Sequence, residues 1–284
     1  MAIEKIAVIG AGTMGHGIAQ IAAQAGYQIT LEDVTEEFVS RGLARIKDNL
    51  QKGVERGKVA ADDMNAALSR LRTATDIEDA AADADLVIEA VIEKLDAKRE
   101  LFAALDSFCK SDAILATNTS SLSIGAIAAS TKRPERVIGT HFFNPVHIMK
   151  LLEIVVGYET SEATLAATLE FAGRIGKEAI TVKDTPGFAT SRLGIALGLE
   201  AIRMFEQGVA SAEDIDKAMA LGYNHPMGPL RLTDLVGLDV RLNIADYLFS
   251  ELQSEVFRAP DILREKVAAE KLGKKSGEGF YKWE

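Results

Sequence analysis

The sequence predicts an α/β protein in which a mostly parallel sheet is followed by a second, all-helical domain. Three observations carry that prediction. Short apolar runs alternate with segments of helical spacing over the first two thirds of the chain, a glycine-rich turn follows the first of these runs, and from Gly187 onward the pattern is helical alone.

Lys5 to Ile9 is an apolar run ending at Gly10, and Met14 to Ala25 reads as a helix stopped by Gly26. Tyr27 to Glu32 supplies the second strand. Between Thr35 and Leu71 the apolar positions Val39, Leu43, Ile46 and Leu50, then Met64, Leu68 and Leu71, recur at helical spacing around the Gly53 to Gly57 stretch. This predicts an inserted helical hairpin over residues 36–71. Leu86 to Val91 and Ala113 to Thr117 read as buried strands on either side of a helix around Leu101, Phe102 and Leu105. Val137 to Phe142, Leu151 to Val156 and Ala179 to Val182 complete the sheet, with a helix over Thr160 to Ile175. Helices over Phe188 to Gln207, Ala212 to Ala220, Thr233 to Leu252 and Ile262 to Glu270 make up the rest. Ser211 to Asp214 resembles a capping box, and Pro260 suits a first helical turn. The expected domains are 1–186 and 187–284, with the boundary near Thr185-Pro186-Gly187.

With 284 residues, 48% of them hydrophobic and 26% charged, the chain has ample material for ordinary globular cores. A formal charge of −10 argues against a general affinity for nucleic acid, which needs a basic face. Cys109 is the only cysteine, which excludes an internal disulfide and suits a reducing compartment. The amino terminus leads directly into a strand, with no signal-type or Arg-rich leader and no apolar run of membrane length. The cytoplasm is the expected location, with no membrane partner.

Gly10-Ala11-Gly12-Thr13-Met14-Gly15 stands between a strand and a helix in an opening strand, helix, strand unit. The first glycine permits the tight turn, the second lets backbone approach a pyrophosphate, and the third lets the helix pack closely on the sheet. The helix amino end then meets the phosphates. This is the fingerprint of a Rossmann-type dinucleotide site. Asp33, at the end of the second strand, is placed for the ribose hydroxyls and against a 2′-phosphate. No Arg or Lys follows until Arg41, so NAD rather than NADP is expected. The alternative for Asp33 is a helix cap, since Thr35 and Glu36 follow.

His141 closes the strand Val137 to His141 at the carboxyl edge, where open α/β sheets place their ligands. Glu153 lies inside the apolar run Leu151 to Val156, and if buried it needs a partner. The neighbouring strand offers His141, and a carboxylate behind an imidazole is what a general base requires. The alternative is an outward-pointing Glu and a structural His. Thr117 to Leu122 follows a strand directly and crowds hydroxyls and an amide at the same edge, where the alternative is that they serve only as caps. No P-loop, nucleophile elbow or histidine pair at metal spacing is present.

Six motifs, Gly10-Ala-Gly-Thr-Met-Gly15, Asn118-Thr-Ser-Ser-Leu122, His141-Phe-Phe-Asn-Pro145, Asp184-Thr-Pro-Gly-Phe188, Pro226-Met-Gly-Pro229 and Gly277-Glu-Gly-Phe-Tyr281, span both domains. In this order they resemble the NAD-dependent L-3-hydroxyacyl-CoA dehydrogenases, including the bacterial 3-hydroxybutyryl-CoA dehydrogenases. The resemblance implies interconversion of (S)-3-hydroxyacyl-CoA and 3-oxoacyl-CoA in fatty acid metabolism, by a homodimer whose helical domain supplies the dimer face and closes the substrate cleft. It further implies that His141 removes the 3-hydroxyl proton with Glu153 as its partner, that Ser120 bonds substrate, and that Asn144 contacts the cofactor. Glu93, Lys98 and Lys275 match cofactor-contacting positions, although each reads equally as a solvated surface charge. Ser191 stands where the family usually carries an Asn that orients substrate. The hairpin residues Asn49, Lys52, Arg56 and Lys58 match the region that holds the adenosine phosphates of CoA, although an exposed charge cluster is as often only solvated. Two rival readings remain: an NAD dehydrogenase of free β-hydroxy acids, and a non-catalytic NAD-binding protein of the crystallin-like type.

Overall fold

The structure, a computed structural model, describes residues 3–283. It forms two compact units that meet in sequence between Thr185 and Pro186.

The first unit contains β1 (Lys5–Ile9), α1 (Gly15–Gln24), β2 (Gln28–Glu32), α2 (Glu36–Glu55), α3 (Ala61–Ser69), β3 (Leu71–Ala74), α4 (Ile77–Ala81) and β4 (Leu86–Glu89). It continues with α5 (Leu95–Phe108), β5 (Ile114–Thr117), α6 (Ile124–Ala128), β6 (Val137–Phe142), β7 (Leu151–Val156), α7 (Glu162–Arg174) and β8 (Glu178–Lys183). The eight strands make one sheet in the order β3-β2-β1-β4-β5-β6-β7-β8. The first six in this order are parallel; β7 then pairs antiparallel with β6, and β8 runs parallel to β7. The mostly parallel sheet of a dinucleotide-binding fold is therefore present, with the hairpin α2–α3 inserted after β2. Strands β4 and β5 are buried at every position, which is why they read as continuous apolar runs. Ile6, Val8, Ile18, Ile29, Leu31, Ile46, Ile88 and Ile138 belong to one core that joins the sheet to α1 and α2.

Two expectations are corrected here. Leu71, counted with the helical face of the hairpin, instead opens β3, where it pairs with Ile29. An edge strand of four residues, Leu-Arg-Thr-Ala, is too short for its alternation to stand out against the preceding helix. In the second unit, the single helix expected over Thr233 to Leu252 is two, α10 (Pro229–Val236) and α11 (Leu238–Leu252), following α8 (Thr190–Glu206) and α9 (Ala212–Gly222) and preceding α12 (Asp261–Ala268). Gly237 at φ +108° breaks the run, a conformation open to glycine and costly for other residues.

Two buried carboxylates organise that second unit. Asp216 accepts the amides of Leu230 and Arg231 at 2.8 and 2.9 Å and the Tyr281 hydroxyl at 2.7 Å, so α10 is capped from α9 rather than by its own sequence. Asp234 accepts the amides of Phe280 and Tyr281 and the Trp283 indole N–H, each at 2.8 Å. A Cβ on Gly228 or Gly279 would lie 2.3 Å from these carboxylates. The Pro226 to Pro229 and Gly277 to Tyr281 motifs thus have a structural cause. Ser211 accepts from the Asp214 amide at 3.1 Å and donates to its carboxylate, as the capping pattern predicts.

Candidate active site

The glycine turn is built as its spacing requires. Gly10 sits at φ +98°, and a Cβ there would lie 2.8 Å from the Ala90 carbonyl oxygen. A Cβ on Gly15 would lie 1.7 Å from the Gly10 oxygen, so α1 can start against the turn only with glycine. Gly12 meets nothing within 4 Å, so its backbone faces an open cradle at the α1 amino end, beside Thr13 and Met14. That cradle fits a dinucleotide pyrophosphate, because a side chain at Gly12 would fill it and the free helix N–H groups point into it. Asp33 accepts the Ala11 and Val34 amides at 2.8 Å each, which fixes its carboxylate beside the turn. The helix-cap reading of Asp33 does not hold, since Thr35 caps α2 by accepting from the Phe38 amide.

Ala11, Gly12, Thr13 and Asp33 line a pocket together with Phe38, Arg41 and Arg45. The two arginines are one turn apart on α2 and flank Gly42, whose missing side chain lets the helix press on Ala11, 2.8 Å from where a Cβ would be. Counting residues from Asp33 does not show this proximity; the signal was a glycine between two arginines at helical spacing.

His141 and Glu153 are direct partners across the antiparallel β6–β7 ladder. The His141 Nδ1 lies 2.8 Å from Glu153 Oε2, with Glu153 wholly buried and His141 only 8% exposed. This excludes the outward-pointing alternative for Glu153. The Phe143 ring lies against the imidazole at 4.5 Å between centroids. Asn118, just past β5, accepts the Phe142 amide at 2.9 Å and ties the neighbouring strand end to the same edge. Asn144 is exposed in the loop after β6.

Ser120 belongs to a polar network at the ends of β4 and β5. Glu93 Oε1 accepts the Thr119 hydroxyl at 2.6 Å, the Ser120 amide at 2.8 Å and the Ser120 hydroxyl at 3.2 Å. Lys98 is fully buried, 2.5 Å from Glu89 and 3.3 Å from Glu93, which excludes its reading as a solvated surface charge. Glu93 keeps 38% side-chain exposure. Sequence reasoning passed over Glu89, although a glutamate closing the apolar run Leu86 to Glu89 is the same kind of anomaly as Glu153.

On the hairpin, the Asn49 amide donates to Gln20 at 3.3 Å and Lys52 pairs with Asp48 at 2.7 Å, while Arg56 and Lys58 stand exposed beyond the end of α2. Ser191 and Lys275 belong to the second unit; Ser191 is half-buried in the first turn of α8, and Lys275 pairs with Asp239 at 2.6 Å.

A glycine cradle with a carboxylate fixed beside it, on the same sheet edge as a histidine backed by a buried acid, defines a nicotinamide-linked oxidoreductase. Residues 5–185 match the NAD binding domain of 3-hydroxyacyl-CoA dehydrogenase, and residues 187–283 match its C-terminal domain. A 3-hydroxybutyryl-CoA dehydrogenase of Clostridioides difficile is 46% identical over 277 residues, 98% of each chain. The mitochondrial hydroxyacyl-coenzyme A dehydrogenase of Sus scrofa is 42% identical over 287 residues, covering 99% of this chain and 91% of its own. The crystal structure of an (S)-3-hydroxybutyryl-CoA dehydrogenase from Ralstonia eutropha superposes with a TM-score of 0.97 at 40% identity, over 100% of both chains. The chain belongs to the 3-hydroxyacyl-CoA dehydrogenase family. It is an NAD-dependent enzyme that interconverts 3-hydroxyacyl-CoA and 3-oxoacyl-CoA.

Proposed function

We propose that His141 is the general base of this reaction, acting on the (S)-3-hydroxyl with Glu153 as its orienting acid; the 2.8 Å contact between them carries the reading. With Nδ1 turned to the carboxylate, that nitrogen holds the proton and Nε2 is the unprotonated, basic nitrogen. Nε2 takes the 3-hydroxyl proton as the C3–H bond gives its electron pair away. The bound nicotinamide supplies the acceptor for that hydride. In the opposite direction the imidazolium, steadied by Glu153, returns the proton to the 3-oxo oxygen. Ser120 and Ser191 bond the substrate and Asn144 the cofactor. Glu93 acts at the cofactor side, and Lys275 contributes from the second domain. Asn49, Lys52, Arg56 and Lys58 receive the CoA phosphates, in a protein otherwise acidic at −10.

The preferred acyl group is the four-carbon one named for the bacterial relatives, and the setting is fatty acid metabolism in the cytoplasm. Buried Cys109 suits such a reducing compartment, and no helix among the described residues is long and apolar enough to cross a membrane. The domain from 187 onward forms a homodimer. In support, Leu193, Leu221 and Tyr223 are 71, 84 and 76% exposed there, large apolar side chains that a second copy would cover. The test of the base follows NADH absorbance with acetoacetyl-CoA. His141→Gln is expected to lose at least about a hundredfold in kcat with NADH binding retained, and an equally active variant overturns the assignment.

A further inference from the structure

We propose that Glu89 is a positioning residue: through the buried ammonium of Lys98 it holds the Glu93 carboxylate against Ser120. This rests on the reading above that Ser120 takes part in the site. Glu89 ends the central strand β4, opposite Thr117 in the ladder to β5, and both its oxygens are committed. Oε1 accepts the Val91 amide at 2.7 Å and the Lys98 ammonium at 2.5 Å, and Oε2 accepts the Thr117 hydroxyl at 2.6 Å. Glu89, Lys98 and Thr117 are all 0% exposed, so this end of the network is rigid and dry.

The other end is neither. Glu93 lies in the irregular segment before α5 and is partly open to water, where a carboxylate is free to turn outward. What holds it is the second, longer arm of Lys98 at 3.3 Å, together with the three donors from Thr119 and Ser120. Lys98 thus divides one positive charge between a deep acid and a shallow one. Neutralising the deep acid makes Glu93 the sole counterion of a buried ammonium. The penalty for burying that charge alone pulls Glu93 inward, away from Ser120. A salt bridge serving only to fasten α5 to β4 would have no such consequence at Ser120.

The test is Glu89→Gln in the full-length enzyme, which keeps the volume and one acceptor oxygen for Val91 and Lys98 and turns the contact with Thr117 into one where the amide N–H donates to the hydroxyl oxygen. Amide hydrogen exchange over 118–122 is expected to quicken by about fivefold or more while β4 and β5 stay protected. With NADH and acetoacetyl-CoA, kcat/KM is expected to fall about tenfold, and by less than about twofold when the same change is made in a Ser120→Ala background. Thr117→Val, which removes one donor behind Glu89, is expected to give a smaller loss that vanishes in the same background, and serves if Glu89→Gln fails to fold. Unchanged exchange over 118–122, or an equal factor in both backgrounds, overturns the proposal. Full activity of Ser120→Ala would instead sink the role given to Ser120, leaving the exchange measurement to decide on Glu89.

Discussion

Replacing Glu153 by Gln separates what the acid does for catalysis from what it does for the fold. The side chain is fully buried, its carboxylate is 2.8 Å from the imidazole, and the amide has nearly the same volume. Once His141 takes up a proton, that contact joins two opposite charges in a hydrogen bond at the upper end of about 1.5–3 kcal/mol, whereas with an amide only the imidazolium is charged and the bond falls short by about 1–2 kcal/mol. The difference of about 1–2 kcal/mol falls on the protonated base alone, which lowers kcat by about 5- to 30-fold. Amide rotation adds to this, because an N–H facing Nδ1 forces the proton onto Nε2 and disables the base, so about a hundredfold in total is expected. Stability should move in neither direction by more than about 1 kcal/mol, since a buried charge is removed along with its pairing. Steady-state turnover of acetoacetyl-CoA, NADH binding by fluorescence and thermal unfolding measure the three quantities separately. A variant within about twofold of the parent kcat would refute the role assigned to the acid.

Two further expectations concern stability. Asp234→Ala leaves the Phe280 and Tyr281 amides and the Trp283 indole without their acceptor, at about 1–3 kcal/mol for each donor that stays buried. The terminal segment should let go before the whole sum is reached, lowering stability by about 3–5 kcal/mol; a denaturant midpoint and the emission of Trp283, the only tryptophan, report it, and an unshifted emission speaks against the clamp. Glu32, beside Asp33 at the end of β2, is pushed up to about 7 by burial, with repulsion from Asp33 and Asp76 adding to it. The folded state then holds a proton that the unfolded chain releases near 4.5, so stability is withdrawn as pH rises from there to about 7 and is level beyond. Glu32→Gln should therefore melt above the parent at pH 8 and level with it near pH 4.5, and a gap that does not change with pH contradicts the argument.

The sequence was most legible where burial is two-sided. Strands such as β4 and β5 have no solvent face, so they stand out as unbroken apolar runs, and the glycine turn is dictated by contacts too close for any side chain. His141 and Glu153 were legible for the converse reason, an acid among apolar neighbours that had to find a partner. Features set by distant neighbours were not. Lys98 lies in a stretch rich in charge, Glu93-Lys-Leu-Asp-Ala-Lys98-Arg, and nothing local distinguishes the one ammonium that turns inward to Glu89. Arg45 likewise reaches the pocket beside the glycine turn only because Gly42 lets α2 lie against Ala11. The split between α10 and α11 depends on one glycine whose backbone sign the apolar spacing does not record.

The facing positions of His141 and Glu153 in the β6–β7 ladder make their contact a property of strand alignment. A slip of a single residue would turn Glu153 to the opposite side of the sheet and bring Leu152 or Ile154 alongside the imidazole. A misaligned pair of strands abolishes the couple entirely. Correct assembly of the sheet and the pairing of this histidine with its buried acid are, in this protein, the same event.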